Sequence, residues 1–271
     1  MVAWAAFAQP AELRIDATTV SQSEDGAPAG ASHEFFPGET VFLSWRVAGY
    51  KRLEKDDKTW LRLRWTVEAK DSSGLALTAP AEGTVDSDLS PQDKEWAPRL
   101  RQEILLPPLI PSGKYSVRIL VEDVYGATKA ERDVPISVRG YDVAPSDTLV
   151  VRNIRYFRSE DDGRPLAVAA YRPGDTVWAR FDIAGFRRAE RNRFEVTYGL
   201  EIFRESGESL YKEPEAARIT EATYYPKRAV PGAFSLTLTP DLAKGLYTVM
   251  LRVKDIMGGQ DYEARSTFSV E

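Results

Sequence analysis

The chain has no cysteine and a single histidine, His33, among its 271 residues. Without cysteine there is no disulfide, no cysteine-ligated zinc or iron–sulfur cluster and no thiol nucleophile. One histidine removes multi-histidine metal centres and weakens any Ser-His-Asp proposal. No cofactor is expected. Long apolar runs are missing as well: no internal stretch approaches the roughly 20 apolar residues of a membrane span. Gly-x-Ser-x-Gly, P-loop, His-Glu-x-x-His and dinucleotide fingerprints are absent. So is a surplus of positive charge. The chain carries 36 basic and 41 acidic residues, a net charge of −5, with 17 and 21 up to Gly140 and 19 and 20 beyond it. Neither half has the excess of a nucleic-acid binder. What remains is ordinary globular composition, 43% hydrophobic and 28% charged, on a chain long enough for two cores.

Met1 to Gln9 is apolar, and Ala6-Phe7-Ala8 before Gln9 fits the small-x-small rule for signal cleavage. Residues 1–8 read as the tail of a signal peptide, the alternative being an ordinary hydrophobic terminus. The expectation is an exported protein, periplasmic or secreted, with a mature chain starting near Gln9. The lack of cysteine fits a periplasm or exterior as well as a cytoplasm, so it does not decide.

The chain repeats itself once. Ser23-Glu24-Asp25 recurs as Ser159-Glu160-Asp161, Phe36-Pro37-Gly38-Glu39-Thr40-Val41 as Arg172-Pro173-Gly174-Asp175-Thr176-Val177, and Val47-Ala48-Gly49-Tyr50-Lys51-Arg52 as Ile183-Ala184-Gly185-Phe186-Arg187-Arg188, all at an offset of 136. Gly113-Lys114-Tyr115-Ser116-Val117 then recurs as Gly245-Leu246-Tyr247-Thr248-Val249, and Val121-Glu122-Asp123 as Val253-Lys254-Asp255, at an offset of 132. A net four-residue difference therefore lies between Arg52 and Gly113. The expected units are 11–140 and 147–271, joined by a linker at 141–146.

Within each unit the strongest period is two. Val41, Leu43, Trp45 and Val47 alternate with Phe42, Ser44 and Arg46; Leu61, Leu63, Trp65 and Val67 alternate with polar residues, as do Tyr115, Val117, Ile119 and Val121. The second unit repeats this at Val177–Ile183, Phe194–Ile202 and Tyr247–Val253. Such strands have one core face and one wetter face. No convincing amphipathic helix occurs, and glycine and proline punctuate the runs. About seven short strands per unit predict an all-β protein of two tandem antiparallel β-sandwich, immunoglobulin-like domains from an internal duplication. The last pair in each unit is a hairpin, turning at Asp123–Gly126 and at Asp255–Gly259.

The ending Gly-x-Tyr-x-Val, then Val-x-Asp-x-x-Gly, then a last strand finishing in Ser-Val resembles bacterial extracytoplasmic immunoglobulin-like and fibronectin-type domains. Pro-Gly-[Glu/Asp]-Thr-Val opening a strand is similar to the same modules and to macroglobulin-type domains. The resemblance covers both units at superfamily level. It implies tyrosine corners at Tyr115 and Tyr247, their hydroxyls bonding nearby backbone. The antibody-type disulfide is missing, and a shared sandwich transfers no function.

Several residues invite a chemical reading. The Ser-Glu-Asp loops, Ser23–Gly26 and Ser159–Gly163, place carboxylates beside a glycine and so offer oxygens to calcium, or form solvated turns. Asp123 and Asp255 are expected to cap their hairpin turns, and His33 to lie on the surface. The loops Lys51–Lys58 and Arg187–Arg193 occupy matching places; the second, with Arg187, Arg188, Arg191 and Arg193, is locally basic and suited to an acidic partner. Trp96, Trp178, Tyr224 and Tyr225 lie off the expected core faces, where aromatic rings stack on sugars or anchor a protein. The function these point to is a non-enzymatic, exported interaction or structural module, binding a protein partner or envelope component through edges, loops or an interdomain groove. A carbohydrate-binding protein using the exposed aromatics is the alternative, and a carboxylate-based glycoside hydrolase the third reading.

Overall fold

The computed structural model describes residues 12–55, 58–90, 93 and 96–271; the expected signal tail at 1–8 lies outside the described residues. The chain divides between Tyr141 and Asp142 into two compact units. Each is all β and is built as two facing antiparallel sheets.

Unit 1 contains, among the described residues, β1 (Arg14–Ser21), β2 (Glu34–Phe35), β3 (Thr40–Ala48), β4 (Leu53–Lys55), β5 (Lys58–Lys70), β6 (Ala81–Leu89), β7 (Arg99–Leu105), β8 (Gly113–Asp123) and β9 (Thr128–Val138). One sheet has the order β1-β3-β7; the other runs β2-β9-β8-β5-β4, with β6 also on β5. Unit 2 follows with β10 (Val150–Phe157), β11 (Ala170–Tyr171), β12 (Thr176–Ala184), a 3-10 turn at Glu190–Asn192, β13 (Phe194–Arg204), β14 (Ser209–Glu221), β15 (Ala229–Thr237), β16 (Gly245–Asp255) and β17 (Gln260–Val270). Its sheets are β10-β12-β15 and β11-β17-β16-β13-β14. Among the described residues, unit 1 has nine strands and unit 2 eight, more than the seven expected, because the two-residue pieces β2 and β11 and the three-residue β4 are too short to show a period. β2 and β11 add to the last strand of their unit in parallel, not antiparallel.

The period-two pattern builds the cores. Val41, Leu43, Trp45, Val47, Leu61, Leu63 and Ile119 are at most 1% exposed. In unit 2, Val177, Phe181, Ile183, Phe194, Val196, Leu251 and Val253 form the corresponding cluster. One aromatic pair bridges the sheets in each unit at the same place. Trp45 meets Trp65 edge to face at 5.5 Å, and Phe181 meets Tyr198 at 5.1 Å. Such pairs add about 1 kcal/mol beyond the area they bury.

The duplicated motifs fold alike. Pro37-Gly38 and Pro173-Gly174 turn the chain into β3 and β12, with glycine φ of 81° and 88°, the type II geometry that only glycine adopts without strain. Glu39 and Asp175 then reach back to accept the Phe36 and Arg172 amide N–H, each at 2.8 Å. Tyr115 donates to the Pro111 carbonyl at 2.7 Å, and Tyr247 donates to that of Ala243, so both hydroxyls bond backbone four residues upstream.

One outer face departs from simple alternation. On β13, Thr197 and Glu201 are buried although they alternate with the core positions. Glu201 accepts from Ser209 and pairs with Lys212 of β14, whose pairing skips from Ala217 to Glu213 opposite Tyr198 and Leu200. The extra residues fold over Gly199, where an added Cβ would fall 2.2 Å from the Pro214 carbonyl oxygen.

Candidate functional site

At one end of each sandwich, three connections meet: the loop leaving β3 or β12, the loop entering β7 or β15, and the tight turn between the last two strands. A buried aspartate in that turn organises them. Asp123 and Asp255 are each 1% exposed. Asp123 accepts the Tyr125 N–H at 3.1 Å with one oxygen and the Lys51 N–H at 2.6 Å with the other. Asp255 accepts Gly258 N–H at 2.9 Å and Arg187 N–H at 2.7 Å. The turn cap expected from the sequence is therefore half of the role. The other half fixes the first residue of the charged loop. Gly126 and Gly258 make room for it: a Cβ there would sit 2.4 Å and 2.2 Å from the carboxylate.

The two units diverge beyond this shared knot. Leu63 of β5 and Val196 of β13 are equivalent, since they pair with Asp123 and Asp255. From Arg52 to Leu63 is eleven positions, but from Arg188 to Val196 only eight. Three of the four residues separating the repeats thus lie in the charged loop, where unit 1 adds the short strand β4.

Unit 2 fills the corner beside this loop. Phe186 is buried against Phe194 with ring centroids 4.5 Å apart. Asn153 donates to Asp182 at 2.6 Å, and Gln260 accepts the Leu149 N–H at 2.9 Å. In unit 1 the equivalent positions hold Tyr50, Ala17, Arg46 and Thr128, and among the described residues the corner is an open cleft of about 1210 Å³. Its walls include Arg14, Arg46, Tyr50, Lys51, Arg52 and Trp96. Tyr50 donates to the Trp96 carbonyl, which ties the two loops together. Burial raises the Tyr50 phenol above its ordinary value, against an opposing pull from Arg52, whose guanidinium lies 5.8 Å from the ring centroid. Trp96 is 41% exposed. Arg46 and the Lys51 ammonium have no partner among the described residues, whereas Arg14 pairs with Asp16 at 2.8 Å. The cleft has two aromatic walls and four basic residues, and the acids Glu12, Asp16 and Asp123 also line it. Of these acids, Asp16 is held by Arg14 and Asp123 by two amides.

The remaining residues singled out in the sequence are distributed as follows. In unit 2, Asn192 donates to the carbonyls of Thr223 at 3.1 Å and Tyr224 at 2.7 Å, and Arg188 to that of Lys227 at 2.8 Å. The arginine loop and the Tyr224 loop are thereby joined, with Arg187, Arg188, Arg191 and Arg193 all exposed. Tyr224 is 57% exposed, but Tyr225 is buried at 5%, which corrects the expectation that both rings face outward. Trp178 is half-buried on β12 opposite Phe157 and Ser235, six residues before Ala184 and so about 20 Å along the strand from the loop end. The structure does not bring it to Tyr224. His33 is also not a freely solvated residue: its ring meets Phe35 edge-on at 4.6 Å, and its Nε2 is buried without a hydrogen-bond partner. In the Ser-Glu-Asp loops, Glu24 and Asp25 both bind Arg101 at 2.9 Å, while Arg180 bonds the main-chain carbonyls of Glu160 and Asp162. In both loops an arginine of a neighbouring strand is bound, by carboxylates in the first and by main-chain carbonyls in the second.

Among the described residues, no helix is long and apolar enough to cross a membrane. No protein-family model and no curated protein sequence matches the chain. Solved structures similar to it include the C-terminal domain of the antigen I/II polypeptide BspA of Streptococcus agalactiae, at 10% identity and a TM-score of 0.30, with 96% of this chain and 99% of that one covered. The C-terminal domain of the antigen I/II-family protein AspA of Streptococcus pyogenes matches at 9% identity and 0.30, covering 95% and 99%. A family 123 glycoside hydrolase from Clostridium perfringens matches at 12% and 0.32 over 46% of this chain and 27% of that one. Similarities this distant carry no argument about activity.

Proposed function

We propose that the protein is a non-enzymatic interaction module whose unit 1 cleft holds an acidic segment of a protein partner. One observation carries the reading: the corner that unit 2 closes with its own side chains is open in unit 1 and lined by cations and two aromatic rings. Arg46 and Lys51 supply charge-assisted donors for carboxylates, and Tyr50 and Trp96 supply the apolar contact that anchors an interface. The charged outer faces of the sheets are poorer candidates, because their cations are already paired: Arg62 with Asp86, Arg118 with Glu131, Arg252 with Glu263. The affiliation to bacterial extracytoplasmic immunoglobulin-like modules belongs to the same reading. Its support is the pair of tyrosine hydroxyls on upstream carbonyls and the three-stranded sheet facing a larger one. An exported location, periplasmic or secreted, rests on the apolar small-x-small segment of the sequence.

The test is quantitative capture from an envelope fraction. The wild-type chain should retain a discrete partner, and the Arg46→Ala, Trp96→Ala double variant should retain less than about a tenth of it, the loss of one hot-spot contact. Arg118→Ala, on the outer sheet face, should retain it fully. Equal retention by all three proteins would refute the proposed site.

A further inference from the structure

We infer that the arginine loop of unit 2, together with Tyr224, binds a carboxylated polysaccharide, a site separate from the unit 1 cleft. The loop Arg187–Arg193 carries four arginines and one acid, Glu190, on a chain whose net charge is −5. Among the described residues none of the four makes an ion pair, so all four charges face solvent in one short loop; on the strands of the same unit Arg204, Arg218 and Arg252 are paired, while Arg155 and Arg265 are not. The loop is also rigidly held. Its first amide is fixed by Asp255, its middle by the two Asn192 bonds to the Tyr224 loop, and Arg188 adds a third suture at Lys227. Arg191 and Asn192 both sit at positive φ, 56° and 52°. Two consecutive non-glycine residues in that region persist where the surroundings hold them, here through the Asn192 bonds to the Tyr224 loop.

The recognition chemistry follows from what is brought together. A guanidinium meets a carboxylate in a two-point fork and keeps its charge at all relevant pH. A tyrosine ring 57% exposed, its main chain one residue from Arg191 and Arg193 through Asn192, offers a flat apolar face. A uronic-acid residue presents both matching features on one ring: an apolar sugar face and a carboxylate at its edge. An acidic peptide supplies the carboxylates but not the flat apolar sugar face that matches the exposed Tyr224 ring. Nucleic acid is disfavoured by the acidic surplus of the whole chain.

The experiment measures binding of the full chain to polygalacturonate, with methyl-esterified polygalacturonate, polyglutamate and single-stranded DNA as comparisons. Polygalacturonate should bind at least about tenfold more tightly than the other three, as expected when two charge-assisted contacts and a stacking contact act together. Arg191→Gln with Arg193→Gln should weaken it about tenfold or more, and Tyr224→Ala severalfold, with unchanged melting temperatures. Trp96→Ala should leave it unchanged, which separates this site from the unit 1 cleft. Absence of binding at low salt, or binding of polyglutamate or DNA as tight as that of polygalacturonate, would overturn the inference, as would insensitivity to Tyr224→Ala.

Discussion

At the scale of single residues, two buried groups have testable consequences. Asp123 and Asp255 each satisfy amides from two segments far apart in the chain. Truncation to alanine leaves those N–H groups buried without acceptors, at about 1–3 kcal/mol per group. Asp123→Ala and Asp255→Ala should therefore each cost about 2–4 kcal/mol in urea denaturation, and the asparagine variants, which keep one acceptor oxygen, less. Tyr156 is the opposite case. Its hydroxyl is buried without a well-formed hydrogen bond, and burial pushes its pKa up to about 12, offset slightly by the Ser266 side chain. Below about pH 10 both the folded and unfolded states keep the proton and the stability is complete. Between about 10 and 12 only the unfolded chain releases it, so stability falls as pH rises, by up to about 3 kcal/mol from this group. Tyr156→Phe should be neutral or slightly stabilising near pH 7 and should lose less stability than wild type when denaturation is compared at about pH 9 and about pH 11.5. A larger alkaline loss in the variant would contradict this.

At the scale of elements, alternation decides which strand positions meet the core, and turn chemistry decides where strands end. That is why the core of β3, β5 and β8, the Pro-Gly turns and the terminal hairpins are legible in the sequence. What is not legible is contact between distant segments. Nothing local announces that Asp123 also reaches Lys51, 72 residues earlier. Nor can alternation foresee that Thr197 and Glu201 are buried on β13. Adjacent loop aromatics such as Tyr224 and Tyr225 have no period to sort them, so one exposed and one buried ring look alike in sequence. The same distinction predicts mutational costs. Arg118 and Glu131 pair on an exposed face, with side chains 47% and 56% accessible, and Arg118→Ala should change stability by less than about 0.5 kcal/mol. Tyr115→Phe removes a hydroxyl bond that ties β8 to the preceding turn and should cost about 1 kcal/mol. Chemical denaturation of the two variants side by side checks the order.

At the scale of the whole molecule, the design is one sandwich made twice, each copy with its own core, since no disulfide or metal-binding cysteine exists to staple it. We expect residues 12–141 and 142–271, expressed separately, each to give strand-type circular dichroism and a cooperative thermal transition. Duplication kept the scaffold: the turn aspartate, the Pro-Gly turn, the inter-sheet aromatic pair and the tyrosine on an upstream carbonyl. It let the loop end change, closing it in unit 2 with Phe186 and Asn153 and leaving it open in unit 1 around Tyr50 and Arg46. This open end is where we propose that a partner docks. The most direct measurement is site-specific photo-crosslinking in the native envelope fraction, with the photoreactive residue placed at Trp96 and, as controls, at Glu131 and Glu263 on the outer sheet faces. The account predicts a discrete adduct from position 96 and none from the controls. Adducts from the sheet faces, with none from position 96, would contradict it.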